Sequence, residues 1–215
     1  MITLIINLSP RTKGTCAMLS GYFKDRIENE QNKVMVENLY MKLKDISQLL
    51  DQVEKADTIV MIGPCYVDTY PADTIYLLEQ MSKQEGVLHG QKLYGFIQGG
   101  MPYVHTHESG LKLLDNFADK NNIQWMGGFV MGGGAMLDGK SLEHLPNAKT
   151  MVPAVNTFIE HIAQGEPSPD ELYKEAASKI PFLMAVFLVN MLNGMLKKKF
   201  KEKGINYKVP SPYLQ

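Results

Sequence analysis

Two cysteines, Cys16 and Cys65, are all that the 215-residue chain holds. They cannot build a disulfide framework, and they fall short of the four thiolates that an iron-sulfur cluster takes. Charge of one sign is lacking too, because 22 Lys and Arg against 23 Asp and Glu leave a formal net charge of -1. No global field therefore draws the body to nucleic acid or to an anionic membrane. The sequence runs straight into an apolar segment without a basic region and cleavage site, so a reducing cytoplasm is the expected location. Its most apolar stretch, 180–196, is interrupted by Pro181, Asn190 and Asn193 and falls short of the ~20 residues that span a bilayer. The lone tryptophan, Trp125, lies in a strand-like stretch and suits a core better than a stacking platform. His105, His107 and Glu108 have a spacing poor for one helical face, and no further ligands complete a metal site. No Ser/His/Asp set or paired carboxylates stand out as a catalytic constellation.

What is present is a full core, with 45% hydrophobic and 21% charged residues, typical of one globular domain with or without an appendage. Short apolar runs alternate with longer amphipathic ones, the pattern of a doubly wound α/β fold whose parallel sheet is covered on both faces in three layers. Strands are expected at 2–8, 34–39, 57–63, 92–98 and 124–131, and helices near 15–30, 46–54, 72–85, 107–121 and 149–164. Right-handed crossovers and strand order 2-1-3-4-5 are the economical arrangement, which puts a ligand at the carboxyl ends of the first and third strands.

Three loops reach that end. The first, Ser9-Pro10-Arg11-Thr12-Lys13-Gly14-Thr15-Cys16, offers hydroxyls, two cations and a run of backbone N–H groups ahead of a helix. A helix N-terminus carries unpaired N–H groups and partial positive charge, so this is a phosphate cradle by composition. It is neither a Walker loop nor a Gly-x-Gly-x-x-Gly dinucleotide loop, since Gly14 stands alone. The second, Pro64-Cys65-Tyr66-Val67-Asp68-Thr69-Tyr70-Pro71-Ala72, is stiffened by two prolines and offers two tyrosines as flat amphipathic surfaces. The third, beginning Gln98-Gly99-Gly100-Met101, lets backbone approach a ligand where a Cβ would block it. Glycines also crowd 127–134 around the last strand, at Gly127, Gly128, Gly132, Gly133 and Gly134.

These motifs resemble the flavodoxin-like NAD(P)H-dependent FMN reductases, relatives of the iron-sulfur flavoproteins without the cluster cysteines. Their first loop reads roughly Ser-Pro-Arg-x-x-Gly-Asn/Thr-Ser/Thr, matched here over residues 9–15, with Cys16 where a hydroxyl residue is usual. In the second loop Pro64, Tyr66, Pro71 and Ala72 match, while Cys65 and Val67 depart from the commonest residues. The resemblance implies FMN, with NADH or NADPH as co-substrate. It assigns Ser9, Arg11, Gly14, Thr15 and Cys16 to the phosphate, Pro64, Tyr66, Val67 and Asp68 to the ring and ribityl chain, and Gly99, Gly100 and Met101 to the pyrimidine edge. Flavin N5 would carry the chemistry, so no side chain is assigned as catalytic. The acceptor would be a quinone, a nitroaromatic, a free flavin or a protein partner.

Two other classes stay open. A flavodoxin-type electron carrier would bind FMN but accept no nicotinamide, and such carriers are usually strongly acidic, unlike this chain. A flavin-free oligomeric interaction protein would keep the fold alone. The chain is expected to divide into an FMN-binding domain, 1–165, and a helical hydrophobic and basic extension with a tail, 166–215. A helix apolar on every side must be buried, so a homodimer contact is the first expectation for it. Peripheral membrane attachment through 180–203, with the lysines on lipid phosphates, is the second. Tyr207, Pro210, Pro212 and Tyr213 form an extended tail that could reach a neighbouring active site.

Overall fold

Five strands form one parallel sheet in the order β2-β1-β3-β4-β5 in a computed structural model. Residues 1–178 and 182–206 are described. In chain order the elements are β1 (Ile2–Asn7), α1 (Thr15–Ile27), β2 (Lys33–Asn38), α2 (Leu39–Lys42), α3 (Ser47–Lys55), β3 (Thr58–Pro64), α4 (Ala72–Lys83), β4 (Lys92–Gln98), α5 (Glu108–Lys120), β5 (Gln124–Met131), α6 (Ala148–Gln164), α7 (Glu171–Ala176) and α8 (Phe182–Glu202). The expected sheet order and all five expected strands are present. This is the flavodoxin-like α/β architecture, with the topological switch between β1 and β3.

The two faces of the sheet are built from opposite residue sizes. Phe96 of β4 and Phe129 of β5 stack with ring centroids 5.2 Å apart, and Phe158 of α6 and Phe23 of α1 close over them edge-on or tilted. Their chain neighbours Gly95 and Gly128 point the other way, as alternation along a strand requires. There α5 lies so close that a Cβ on Gly128 would stand 2.6 Å from the Leu111 side chain, and one on Gly95 2.9 Å from that of Leu114. Between these pairs the register of β4 and β5 shifts: Leu93 faces Trp125, but Gly95 faces Gly128. The extra residue on β5 makes a bulge that includes Gly127, at φ +102. Trp125 is half-buried and packs against the core from this end of β5, so it belongs to the packing as expected.

Three departures from the sequence expectations have local causes. α1 stops at Ile27 rather than near 30, because Glu28 turns to an extended conformation and the Asn29 side chain gathers the N–H groups of Gln31 and Asn32 into a turn. α2 occupies a stretch read as connection. The domain boundary also moves, since the chain divides into units Met1–Ser178 and Lys179–Gln215 rather than after 165. The Pro-Ser-Pro stretch that reads as linker is bonded to the sheet: Lys92 donates to Gly165 O, the Tyr94 hydroxyl to Glu166 O, and Ser168 N–H to Met126 O. α7 follows, with Tyr173 buried edge-on to Phe129 and its hydroxyl donating to Glu108.

In the second unit, α8 is a 21-residue helix. Among the described residues no helix is long and apolar enough to cross a membrane. Tyr207, Pro210, Pro212 and Tyr213 lie outside the described residues.

Candidate functional site

The carboxyl ends of β1, β3, β4 and β5 carry four loops, and the first is shaped by its own side chains. Leu8 N–H continues the ladder to Ile62 O, after which Asn7 Oδ1 accepts from Ser9 N–H at 2.9 Å and Ser9 Oγ from Arg11 N–H at 3.1 Å. These two side-chain turns coil the backbone up to Gly14, whose φ of 127 and ψ of -167 suit only glycine. α1 then begins, its first backbone bond running from Met18 N–H to Gly14 O. The N–H groups of Thr15, Cys16 and Ala17 have no carbonyl one turn back to meet. Thr15 and Cys16, at this helix start, line a recess of about 110 Å³ together with Ser9, Arg11, Lys13, Pro64, Tyr66 and Gln98, among others. A wider hollow of about 560 Å³ opens beside it between residues 10–14, Tyr40 and Asp138.

Thr15 and Cys16 line this recess, and their side chains are engaged within the protein. Thr15 Oγ1 donates to Gly134 O at 3.0 Å, and Cys16 is buried with its sulfur accepting from Gln98 Nε2 at 3.4 Å. These bonds tie the helix start to β4 and the loop after β5. Burial pushes the Cys16 thiol up to about 11. Burial, then the Asp68 carboxylate, also raises that of the half-buried Cys65. Neither is a poised thiolate. At about pH 8 a disulfide reagent is expected to titrate Cys65 slowly in the native protein and Cys16 only after unfolding. The stabilisation from keeping Cys16 neutral is complete below a free thiol's value near 9 and is lost as pH rises from there through about 11. Stability measured by denaturant should therefore fall across that window in wild type and less in Cys16→Ala.

In the second loop Tyr66 and Thr69 form an isolated antiparallel bridge around Val67 and Asp68, at φ 51 and 67. Two successive positive φ values make a type I′ turn, for which Asn and Gly are the usual residues. A β-branched valine there is strained. Val67 is also 94% exposed, Tyr66 beside it is half exposed, and the Ser109 hydroxyl pins the turn through Asp68 O. Strain and apolar exposure thus coincide on one turn. Val67→Asn should raise thermal stability by about 1 kcal/mol. The tyrosines part company: Tyr66 faces the recess, whereas Tyr70 is buried against Gly63 and Gly110, where a Cβ would meet its ring at 2.5 and 3.4 Å. The expectation of two exposed tyrosines is corrected to one.

In the third loop the two glycines differ. A Cβ on Gly99 would stand 2.5 Å from the imidazole of His107, so this glycine admits a buried histidine. His107 Nε2 lies 3.2 Å from Met101 O and Nδ1 3.2 Å from Thr106 Oγ1, which makes it the underside of the loop. Gly100 has only Ala135 nearby, at 3.6 Å, and Met101 is exposed. Among the described residues no group of three or more His, Cys, Asp or Glu could hold a metal ion.

The glycine-rich segment after β5 joins the loops together. Gly133 N–H donates to Met101 O, a Cβ on Gly132 would meet Pro102 O at 2.4 Å, and one on Gly139 would stand 3.3 Å from Gly14 Cα. Asp138 brings its carboxylate to 3.8 Å from Arg11, with both side chains largely exposed. Gln98, Ala135, Asp138 and Tyr40 line the site but escaped the sequence reading. Only the Asp138-Gly139 turn pair and the place of Gln98 before Gly-Gly hinted at them.

These residues fit an anion joined to a flat apolar group. The cradle has unmet N–H groups, two cations, the Ser9 hydroxyl and open space around Gly14, where an added Cβ would meet nothing within 4 Å. The adjoining surface offers Tyr66, Val67 and Met101, all exposed. Gln98 is buried beside the recess, and its Oε1 has no hydrogen-bond partner among the described residues.

Comparison with known proteins places this arrangement among flavodoxin-like folds. No family model and no curated protein sequence matches the chain. Among solved structures, an NADH:FMN oxidoreductase in its apo form superimposes with a TM-score of 0.61 at 17% identity, covering 80% of this chain and 93% of its own. An FMN-dependent NADH-azoreductase from Bacillus anthracis in complex with FMN gives 0.57 at 14%, covering 77% and 99%. An NADPH-quinone reductase from P. pentosaceus gives 0.53 at 15%, covering 75% and 96%.

Proposed function

We propose that the protein is an FMN-dependent oxidoreductase that takes hydride from NADH or NADPH and delivers electrons to a small acceptor of the quinone, nitroaromatic or flavin kind. The observation that carries this reading is the cradle at the β1/β3 switch, where Ser9, Arg11, Lys13 and the start of α1 surround an anion-sized recess beside exposed Tyr66, Val67 and Met101. The solved structures with the same fold, an NADH:FMN oxidoreductase, an azoreductase and a quinone reductase, support it.

Ser9, Arg11 and the N–H groups of Thr15 and Cys16 would hold the phosphate, the cations through charge-assisted hydrogen bonds and the helix start through its dipole. Gly14 keeps the approach open. Pro64, Tyr66, Val67 and Asp68 would wrap the ring and ribityl chain, and Gly99, Gly100 and Met101 would stand at the pyrimidine edge, where N–H donors favour negative charge. FMN, when bound, supplies hydride acceptance and donation at N5. The chain positions that ring and leaves one face open, and it needs no side chain as general acid or base. A cytoplasmic homodimer completes the proposal. Its support is the pair of free cysteines and an apolar groove of about 340 Å³ between α4 and α5, lined by Ile75, Leu78, Leu113 and Phe117.

Purified protein mixed with FMN and passed through a desalting column should emerge yellow, and anaerobic NADH or NADPH should bleach it. Colour without bleaching would leave an electron carrier, and no retained colour would remove the flavin altogether.

A further inference from the structure

The second unit carries chemistry that the proposed function does not use. Residues 182–196 of α8 include no Asp, Glu, Lys or Arg, whereas Lys197, Lys198, Lys199, Lys201 and Lys203 follow with only Glu202 among them. Leu183 is 81% and Phe187 68% exposed. At about 100° per residue, the exposed side chains of Leu183, Phe187, Met195, Leu192, Val189 and Val186 succeed one another around the helix axis. They leave no arc wider than about 80° free of apolar surface. The five lysines are exposed as well.

We infer that α8 is a half-depth membrane anchor, seated in one leaflet of an anionic bilayer with its lysine cluster at the headgroups. A second copy of the helix would cover one side alone, whereas acyl chains surround a helix completely. Self-association of the helix would also gather its lysines with a single acid in α8, Glu202, to meet them, while anionic headgroups supply the complementary charge. The uncharged part measures about 22 Å at ~1.5 Å per residue, too short for the ~30 Å hydrocarbon core and longer than the ~15 Å of one leaflet, so the helix lies along the leaflet and not upright in it. It can enter a leaflet and not cross. Residues 1–178 hold 15 Lys and Arg against 22 Asp and Glu, a net charge of -7 that an anionic surface repels, so binding rests on this segment.

The test is co-sedimentation of the full-length protein with phosphatidylcholine vesicles, with and without phosphatidylglycerol, which reads the polypeptide and is independent of flavin. The protein should pellet with the anionic vesicles. K197Q/K199Q should weaken that partitioning about 25-fold, about fivefold for each lysine, and Leu192→Asp should abolish it while circular dichroism still shows the folded α/β unit. Equal binding to neutral and anionic vesicles overturns the inference, and so does binding unmoved by the lysine variant. Failure to pellet with either vesicle overturns it too. If that failure accompanies a concentration-dependent oligomer dissolved by Leu192→Asp, the helix is instead assigned to a second copy of the chain.

Discussion

R11E/K13E should weaken FMN binding by about 100-fold or more while leaving riboflavin binding nearly unchanged. Each charged hydrogen bond to a phosphate is worth about 1.5–3 kcal/mol. Exposure and salt screening reduce that figure here, since Arg11 is largely exposed and already lies 3.8 Å from Asp138. Charge reversal restores much of the difference by setting two carboxylates against a dianion. The comparison with riboflavin isolates the phosphate, because both ligands share ring and ribityl chain. Fluorescence titration of each flavin reads the two constants directly. An equal loss for both would mean that the loop shapes the pocket generally and does not grip phosphate, which would remove the central assignment.

Gly127→Ala should be the most damaging single-methyl change in the first unit, costing about 2–5 kcal/mol. Its φ of +102 disfavours any L side chain, a penalty of about 1–2 kcal/mol. The new Cβ would stand 2.2 Å from Ser168 O, a backbone atom that cannot rotate aside. Overpacking of that kind adds about 1–3 kcal/mol. The strap from Gly165 to Ser168 would have to leave the β5 bulge, breaking the bond from Ser168 N–H to Met126 O. Thermal denaturation should fall by about 10 °C, and limited proteolysis should cut between α6 and α7. An unchanged melting point would show that the strap does not lie on the sheet.

The strands were legible because buried parallel strands read as nearly unbroken apolar runs, as Ile59-Val60-Met61-Ile62 does. Sheet order followed from the alternation of strands with helices. α2, of 4 residues, and α7, of 6, are too short to show a helical period. Within the site, residue types were legible but directions were not. The side chains of Thr15 and Cys16 are engaged by Gly134 O, 119 positions away, and by Gln98, and no local pattern announces such partners. Tyr66 and Tyr70 read alike in sequence, yet the I′ turn at Val67 and Asp68 sends one to the recess and the other to the core. Asp138 reaches Arg11 only because the glycine-rich segment folds back over Gly14.

That fold-back also dictates an order of events during translation. Ser9 to Cys16 leave the ribosome early, whereas Gly134 and Asp138, which close on them, emerge only after all five strands have been made. A nascent chain therefore displays only part of this recess until Asp138 of its 215 residues has been made, so capture of the proposed cofactor would mark a chain whose sheet is complete.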